Sequence, residues 1–177
     1  MMIVSAEKDL PLLLTRCHAG DRTAQRELYQ RYYSFAMGIC IRYATNRLEC
    51  VKIMNNGFCK LFAERDSIRH IADFPANLQK IMINSILNHY QDEVKLTFKE
   101  SIVNNKIRND HAIDKSLINH HLLSALQKLP VIQRIIFNLH TIDGYTHFEI
   151  CKMMNVTHSF SERFLFLAKN TLSSMMI

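Results

Sequence analysis

Apolar residues recur at helical spacing over most of the chain, and polar breaks divide them into segments. Leu10 to His18 reads as a first helix ended by Ala19-Gly20. Asp21 or Thr23 then caps a long second helix, with Leu28, Tyr32, Phe35, Ala36, Ile39 and Tyr43 on one broad face, broken at Asn46. The run from Arg47 to Ile68 predicts a third, with Leu48, Val51, Met54 (or Asn55), Phe58, Leu61 and Phe62 inward. Gly57 lies inside it; glycine there costs about 1 kcal/mol against alanine, so a close backbone approach is expected. A fourth helix starts around Pro75, which suits a first turn, and its apolar face is Leu78, Ile81, Met82 and Ile86.

From Asp92 to Lys115 the pattern dissolves into polar, Asn-rich sequence of mixed charge, which predicts a linker with at most one frayed turn. Helical spacing resumes from Leu117 to Leu129, and Pro130 opens another helix that Asp143-Gly144 ends. Thr146 and Glu149 have the spacing of a capping box on a short helix. Thr157 caps the last one. Two short helices across a tight turn make a helix-turn-helix candidate. The last helix has an unusual pattern: Ser161, Leu165, Ala168 and Leu172 form a core stripe, while Phe160, Phe164, Leu167 and Thr171 form a second, with Phe166 off both. One apolar stripe is normal for a surface helix.

Composition agrees with an all-α protein: four Gly, three Pro, no Trp and 48% hydrophobic residues among 177. No run approaches the length of a membrane span, and Lys8 and Asp9 interrupt the apolar N-terminal patch, so neither a membrane segment nor an export signal is expected. Five cysteines, an odd number without C-x-x-C, read as reduced thiols, which suggests a cytoplasmic protein. Cys59 is expected to be a buried, inert thiol. The net charge of +6 is uneven. Residues 1–91 have 12 Lys/Arg against 8 Asp/Glu (+4), residues 92–116 have 5 against 5, and residues 117–177 have 5 against 3 (+2). A basic first part suits a polyanion or is simply a solvated face. No phosphate loop or nucleophile signature occurs, and the nine histidines lack metal-ligand spacing, so no catalytic residue, cofactor or metal is expected.

The residues Leu126, Leu129, Pro130, Arg134, Phe137, Leu139, Gly144, Glu149, Ile150 and Met154 resemble the C-terminal DNA-binding domain of bacterial extracytoplasmic-function sigma factors. "GDRTAQRELYQRYYSFAMGIC" resembles that family's opening helices, "IMNNGFCKLF" its polymerase-binding helix and "FPANLQKIMINSILNHY" its promoter-melting helix. The resemblance implies two small helical domains on a flexible linker: a region 2-like bundle (1–91), a linker (92–116) and a region 4-like helix-turn-helix (117–177). It further implies an alternative sigma factor, not an enzyme, whose partners are core RNA polymerase (its large subunits and flap region) and promoter DNA. The alternative is a stand-alone helix-turn-helix regulator.

Carried onto this sequence, the resemblance assigns polymerase binding to Lys52, Asn55, Asn56, Phe58 and Lys60, though Lys52 and Asn56 stand where an acidic residue is usual. It assigns promoter DNA to Lys80, Asn84, Asn88, His89 and Tyr90, while Asn77, Asn88 and Gln91 replace the usual Trp, Asp and Arg. The reading helix diverges further. Ser159, Phe160, Glu162, Phe164, Phe166 and Leu167 occupy places that usually hold Lys, Arg or Ser, and Arg163 is the one gain. Carboxylate and phenyl groups neither neutralise phosphates nor pair bidentately with guanine. The extra apolar flank therefore either packs inside the protein or binds another protein. In the second case the partner is a DNA-bound recruiter, such as an activator or a nucleic-acid-guided complex, or an anti-sigma protein.

Overall fold

The computed structural model describes residues 9–63, 73–103 and 120–175. Among them the chain is all-α, with nine helices and no strand. In chain order these are α1 (Leu10–His18), α2 (Arg22–Cys40), α3 (Arg47–Ala63), α4 (Phe74–His89), α5 (Gln91–Val103), α6 (His120–Lys128), α7 (Val131–Phe137), α8 (His147–Met154) and α9 (His158–Met175). A π turn, Asn138–Ile142, continues α7. Contacts divide the chain into two compact units, Met1–Cys40 with Leu48–Ser85 and Ile41–Arg47 with Ile86–Ile177.

In the first unit, Asp21 sets the turn between α1 and α2. Its carboxylate accepts from the backbone N–H groups of Thr23 (2.8 Å) and Ala24 (3.2 Å), satisfying donors that a helix start leaves open. The Arg16 guanidinium, 2.6 Å away, together with those amides holds the Asp21 carboxyl below the usual range. Gly20, at φ +86°, makes the reversal. The inward stripe of α3 is Cys50, Ile53, Met54, Gly57, Phe58 and Leu61. This corrects the expected register: Leu48 is 83% exposed, because the stripe that fills the core starts at Cys50. The same rotation turns Cys59 outward, so that thiol is exposed rather than buried. The close neighbour at Gly57 is a side chain rather than backbone: a Cβ there would lie 2.7 Å from Met82 Sδ. Tyr29 packs its ring 4.7 Å from that of Phe58 and donates to Asn55 Oδ1 at 3.0 Å.

The second unit contains the largest departure from the sequence pattern. Residues Gln91–Val103 form α5, where a linker without periodicity is expected. Its stability comes from tertiary packing rather than amphipathic patterning: Val94 is buried, and the Phe98 ring meets Phe160 edge-on at 5.3 Å. The rest of the expected linker, from residue 104, lies outside the described residues. The core of this unit is Leu126, Leu129, Ile132, Ile135, Ile136, Leu139, Ile150, Leu165, Ala168 and Leu172.

A buried polar network runs beside that core. Arg134, 1% exposed, donates from Nη1 to the carbonyls of Gln127 (3.1 Å) and Leu129 (3.4 Å), closing the C-terminal end of α6. Asn138 Nδ2 donates to the carbonyls of Arg134 (2.8 Å) and Arg42 (3.0 Å). The π turn follows, with the Asp143 N–H donating to Asn138 O at 2.8 Å. The Asp143 carboxylate then receives Arg42 Nη2 at 2.8 Å and the Tyr43 hydroxyl. The segment Ile41–Arg47 is thereby fixed to this unit.

Candidate nucleic-acid and partner interface

The helix-turn-helix consists of α8, the turn at Asn155–Thr157, and α9. Its start is the capping box the spacing predicts. The Glu149 N–H donates to Thr146 Oγ1 at 3.3 Å, and the Thr146 N–H donates to Glu149 Oε2 at 2.8 Å. Those bonds from Thr146 hold the Glu149 carboxyl below its ordinary pKa. Asn155 ends α8 in the left-handed region (φ 54°), which asparagine tolerates better than most residues. Thr157 Oγ1 accepts from the Phe160 N–H at 3.3 Å and so caps α9.

The described residues sort the sequence-based candidates by accessibility. On α3, Lys52, Asn56 and Lys60 are exposed at successive turns, with Asn55 exposed alongside. Phe58 is 2% exposed, so its ring is core volume and offers no surface to a partner. On α4, Lys80, Asn84 and Asn88 are exposed and His89 is half-buried. Tyr90 is 2% exposed, and its hydroxyl donates to the Tyr43 carbonyl at 3.2 Å. It is thus a buried anchor rather than a stacking platform for a base.

On α9 the two stripes have different fates. Ser161, Leu165, Ala168 and Leu172 are buried as expected. Phe160, a candidate for the partner face, is 4% exposed and so takes the internal alternative: its ring lies 4.4 Å from Phe164 and 5.3 Å from Phe98. The helix α5 covers it. Thr171 donates to Gln133 Oε1 at 3.3 Å, tying the same flank to α7. Arg163, Phe164, Phe166 and Leu167 stay half-buried, and Glu162 is exposed, 3.3 Å from His158 Nδ1. The extra apolar surface is therefore partly internal and partly presented.

Two features escape the sequence pattern. Phe148 is 64% exposed on α8, with the Lys152 ammonium 4.1 Å from its ring centroid. The i,i+4 spacing of this pair, off the Ile150/Met154 stripe, is the signal that marks it. The second is a group of three histidines brought together by tertiary structure. The rings of His140 and His147 lie 4.5 Å apart and those of His147 and His158 5.3 Å apart. No group of His, Cys, Asp or Glu among the described residues is arranged to hold a metal ion. No helix among them is long and apolar enough to cross a membrane.

Residues 120–172 match the sigma-70, region 4 family. The matched span begins with α6 and ends within α9, so it takes in α8, the turn, α9 up to residue 172 and the buried Arg134. A region 4 domain is a non-enzymatic DNA-binding module, and it implies a sigma-factor role in transcription initiation, with core RNA polymerase and promoter DNA as partners. No curated protein matches the chain as a relative. Within the matched span, Glu162 of α9 is exposed alongside Ser159 and Asn170, and Arg163, Phe164, Phe166, Leu167 and Lys169 are half-buried.

Proposed function

We propose that the chain is an alternative sigma factor of the extracytoplasmic-function type, acting in the cytoplasm, and that it depends on a partner for promoter targeting. The observation that carries this reading is an intact helix-turn-helix frame, within a region 4 match, whose second helix is poor in cations. A frame with both caps in place and a complete core is built to present α9. That face nonetheless holds Glu162 and half-buried Phe and Leu side chains where phosphate and base contacts need donors. A DNA-bound recruiter or an anti-sigma protein fits such a surface better than a duplex does. The exposed Lys52, Asn55, Asn56 and Lys60 of α3 are the proposed polymerase contacts, and Lys80, Asn84 and Asn88 of α4 the proposed promoter contacts.

Co-purification with core polymerase tests the reading. Wild type should retain the enzyme, and Lys52→Glu with Lys60→Glu should lose it while remaining folded. Because the family match is confined to residues 120–172, a stand-alone DNA-binding regulator is the second reading. Specific duplex binding without any affinity for polymerase would establish that reading and sink the first.

A further inference from the structure

The three histidines converge on the joint of the helix-turn-helix from three different elements. His140 comes from the π turn, His147 is the first residue of α8, and His158 is the first residue of α9. His147 is the centre of the group, with a neighbouring ring on either side and its Nδ1 2.8 Å from the hydroxyl of Ser161, a buried residue of α9. The charged and titratable groups that act on it are His140, His158, Glu162 and Lys169, and Cys151 on α8 feels Glu162 as well. Glu162 is the single carboxylate among them, and it is already 3.3 Å from His158.

We propose that this cluster makes the α8–α9 joint proton-sensitive, packed while His147 is neutral and loosened when acid charges it. A charged imidazole at His147 sits at the positive end of the α8 dipole, which disfavours it. That charge would also lie 4.5 Å and 5.3 Å from two further imidazole rings. Burial, followed by the repulsion of His140 and His158, lowers the His147 pKa from its ordinary 6.5. The unfolded chain therefore takes up the proton first as pH falls. Stability contributed by His147 is complete above pH 6.5 and is lost as pH falls through the folded value. The consequence is an α9 start held more firmly at neutral pH than in acid, whatever macromolecule it binds.

The test is thermal unfolding of the full chain at pH 7.5 and 5.5, a window above the carboxylate range. Wild type should lose about 2–4 °C in Tm between these points, and His147→Asn, which keeps a side-chain partner for Ser161, should remove most of that loss. A wild-type Tm that does not move, or an equal loss in the variant, overturns the proposal. Imidazole NMR titration of wild type decides independently if the variant does not fold. A His147 midpoint below 6.5 supports the device, and one at or above 6.5 refutes it.

Discussion

The Tyr43 hydroxyl donates to the Asp143 carboxylate across 100 residues of sequence, and Arg42 Nη2 reaches the same carboxylate at 2.8 Å. The acid's side chain is 3% exposed. Its charge is therefore supported by these partners rather than by water, which is costly to undo. Burial, reinforced by the adjacent Asp143 charge, holds the Tyr43 phenol well above its ordinary pKa of 10.

Removing the acceptor leaves Arg42 and the phenol without their partner. Asp143→Ala should destabilise the chain by about 3–5 kcal/mol, the range for breaking a buried pair. Tyr43→Phe should cost less, about 1.5–3 kcal/mol for a hydrogen bond to a charged group. Denaturant midpoints at unchanged m-value measure both. A raised folded pKa on a neutral acid means that the unfolded chain ionises first as pH rises. Stability is thus complete below pH 10 and lost above it, and Tyr43→Phe should flatten that alkaline loss.

The capping box makes a second, milder prediction. Thr146→Ala removes the acceptor of the Glu149 N–H and should cost about 1 kcal/mol. Thr146→Ser should retain most of it. Because the Glu149 pKa is lowered, its contribution is complete above the ordinary 4.5 and disappears as pH falls through the folded value. Wild type should therefore lose Tm between pH 5 and 3, and Glu149→Gln should remove that loss, while the gap to Thr146→Ala, set by the Glu149 N–H bond to Oγ1, persists.

Gly57 and Met82 form a coupled pair in the first unit. Alanine favours a helix over glycine by about 1 kcal/mol, yet a Cβ at position 57 would stand 2.7 Å from Sδ and 2.8 Å from Cε of the fully buried Met82. Overpacking typically costs about 1–3 kcal/mol, but the atoms in the way are the flexible end of a side chain that can swing aside, so Gly57→Ala should fall near neutral, the helix gain offsetting the clash. Shortening the obstacle with Met82→Val should remove part of the clash. A double-mutant cycle should then show a favourable coupling of at least about 0.5 kcal/mol, and strict additivity would contradict the contact.

Local signals carried much of this fold. Asp21, Thr146 and Thr157 mark helix starts because a cap needs only its own neighbours, and all three side chains accept from the predicted turns. The stripe Ser161, Leu165, Ala168, Leu172 was readable for the same reason: its period is set by one helix. What failed depends on contacts distant in sequence. Nothing in "QDEVKLTFKESIV" announces α5, whose Phe98 is anchored by Phe160. The burial of Phe160 in turn depends on α5, which is distant in sequence, so the pattern of α9 alone leaves its side open. Likewise the segment Ile41–Arg47 shows no local sign of binding Asn138 and Asp143. The histidines at 140, 147 and 158 share no ligand spacing and meet only through the turn.

The presented part of α9 gives the sharpest test of the proposed partner dependence. Phe164 supports Phe160, with rings 4.4 Å apart, so a charge there would damage the fold as well as the surface. Phe166 and Leu167 are half-buried and are better probes, with Thr171, bonded to Gln133, as the structural control on the inward flank. If α9 meets a protein, Phe166→Glu should weaken that complex by at least tenfold, because desolvated aromatic anchors commonly contribute about 2 kcal/mol or more. Binding to bulk duplex should hardly change. If α9 instead lies on DNA, the added carboxylate should weaken duplex binding at every sequence, and Arg163→Ala should lower the salt slope by about one. Measuring duplex affinity across a salt series for wild type, Phe166→Glu and Arg163→Ala separates these cases. A steep wild-type slope that both substitutions reduce would place DNA, not a protein, on this face and overturn the recruitment reading.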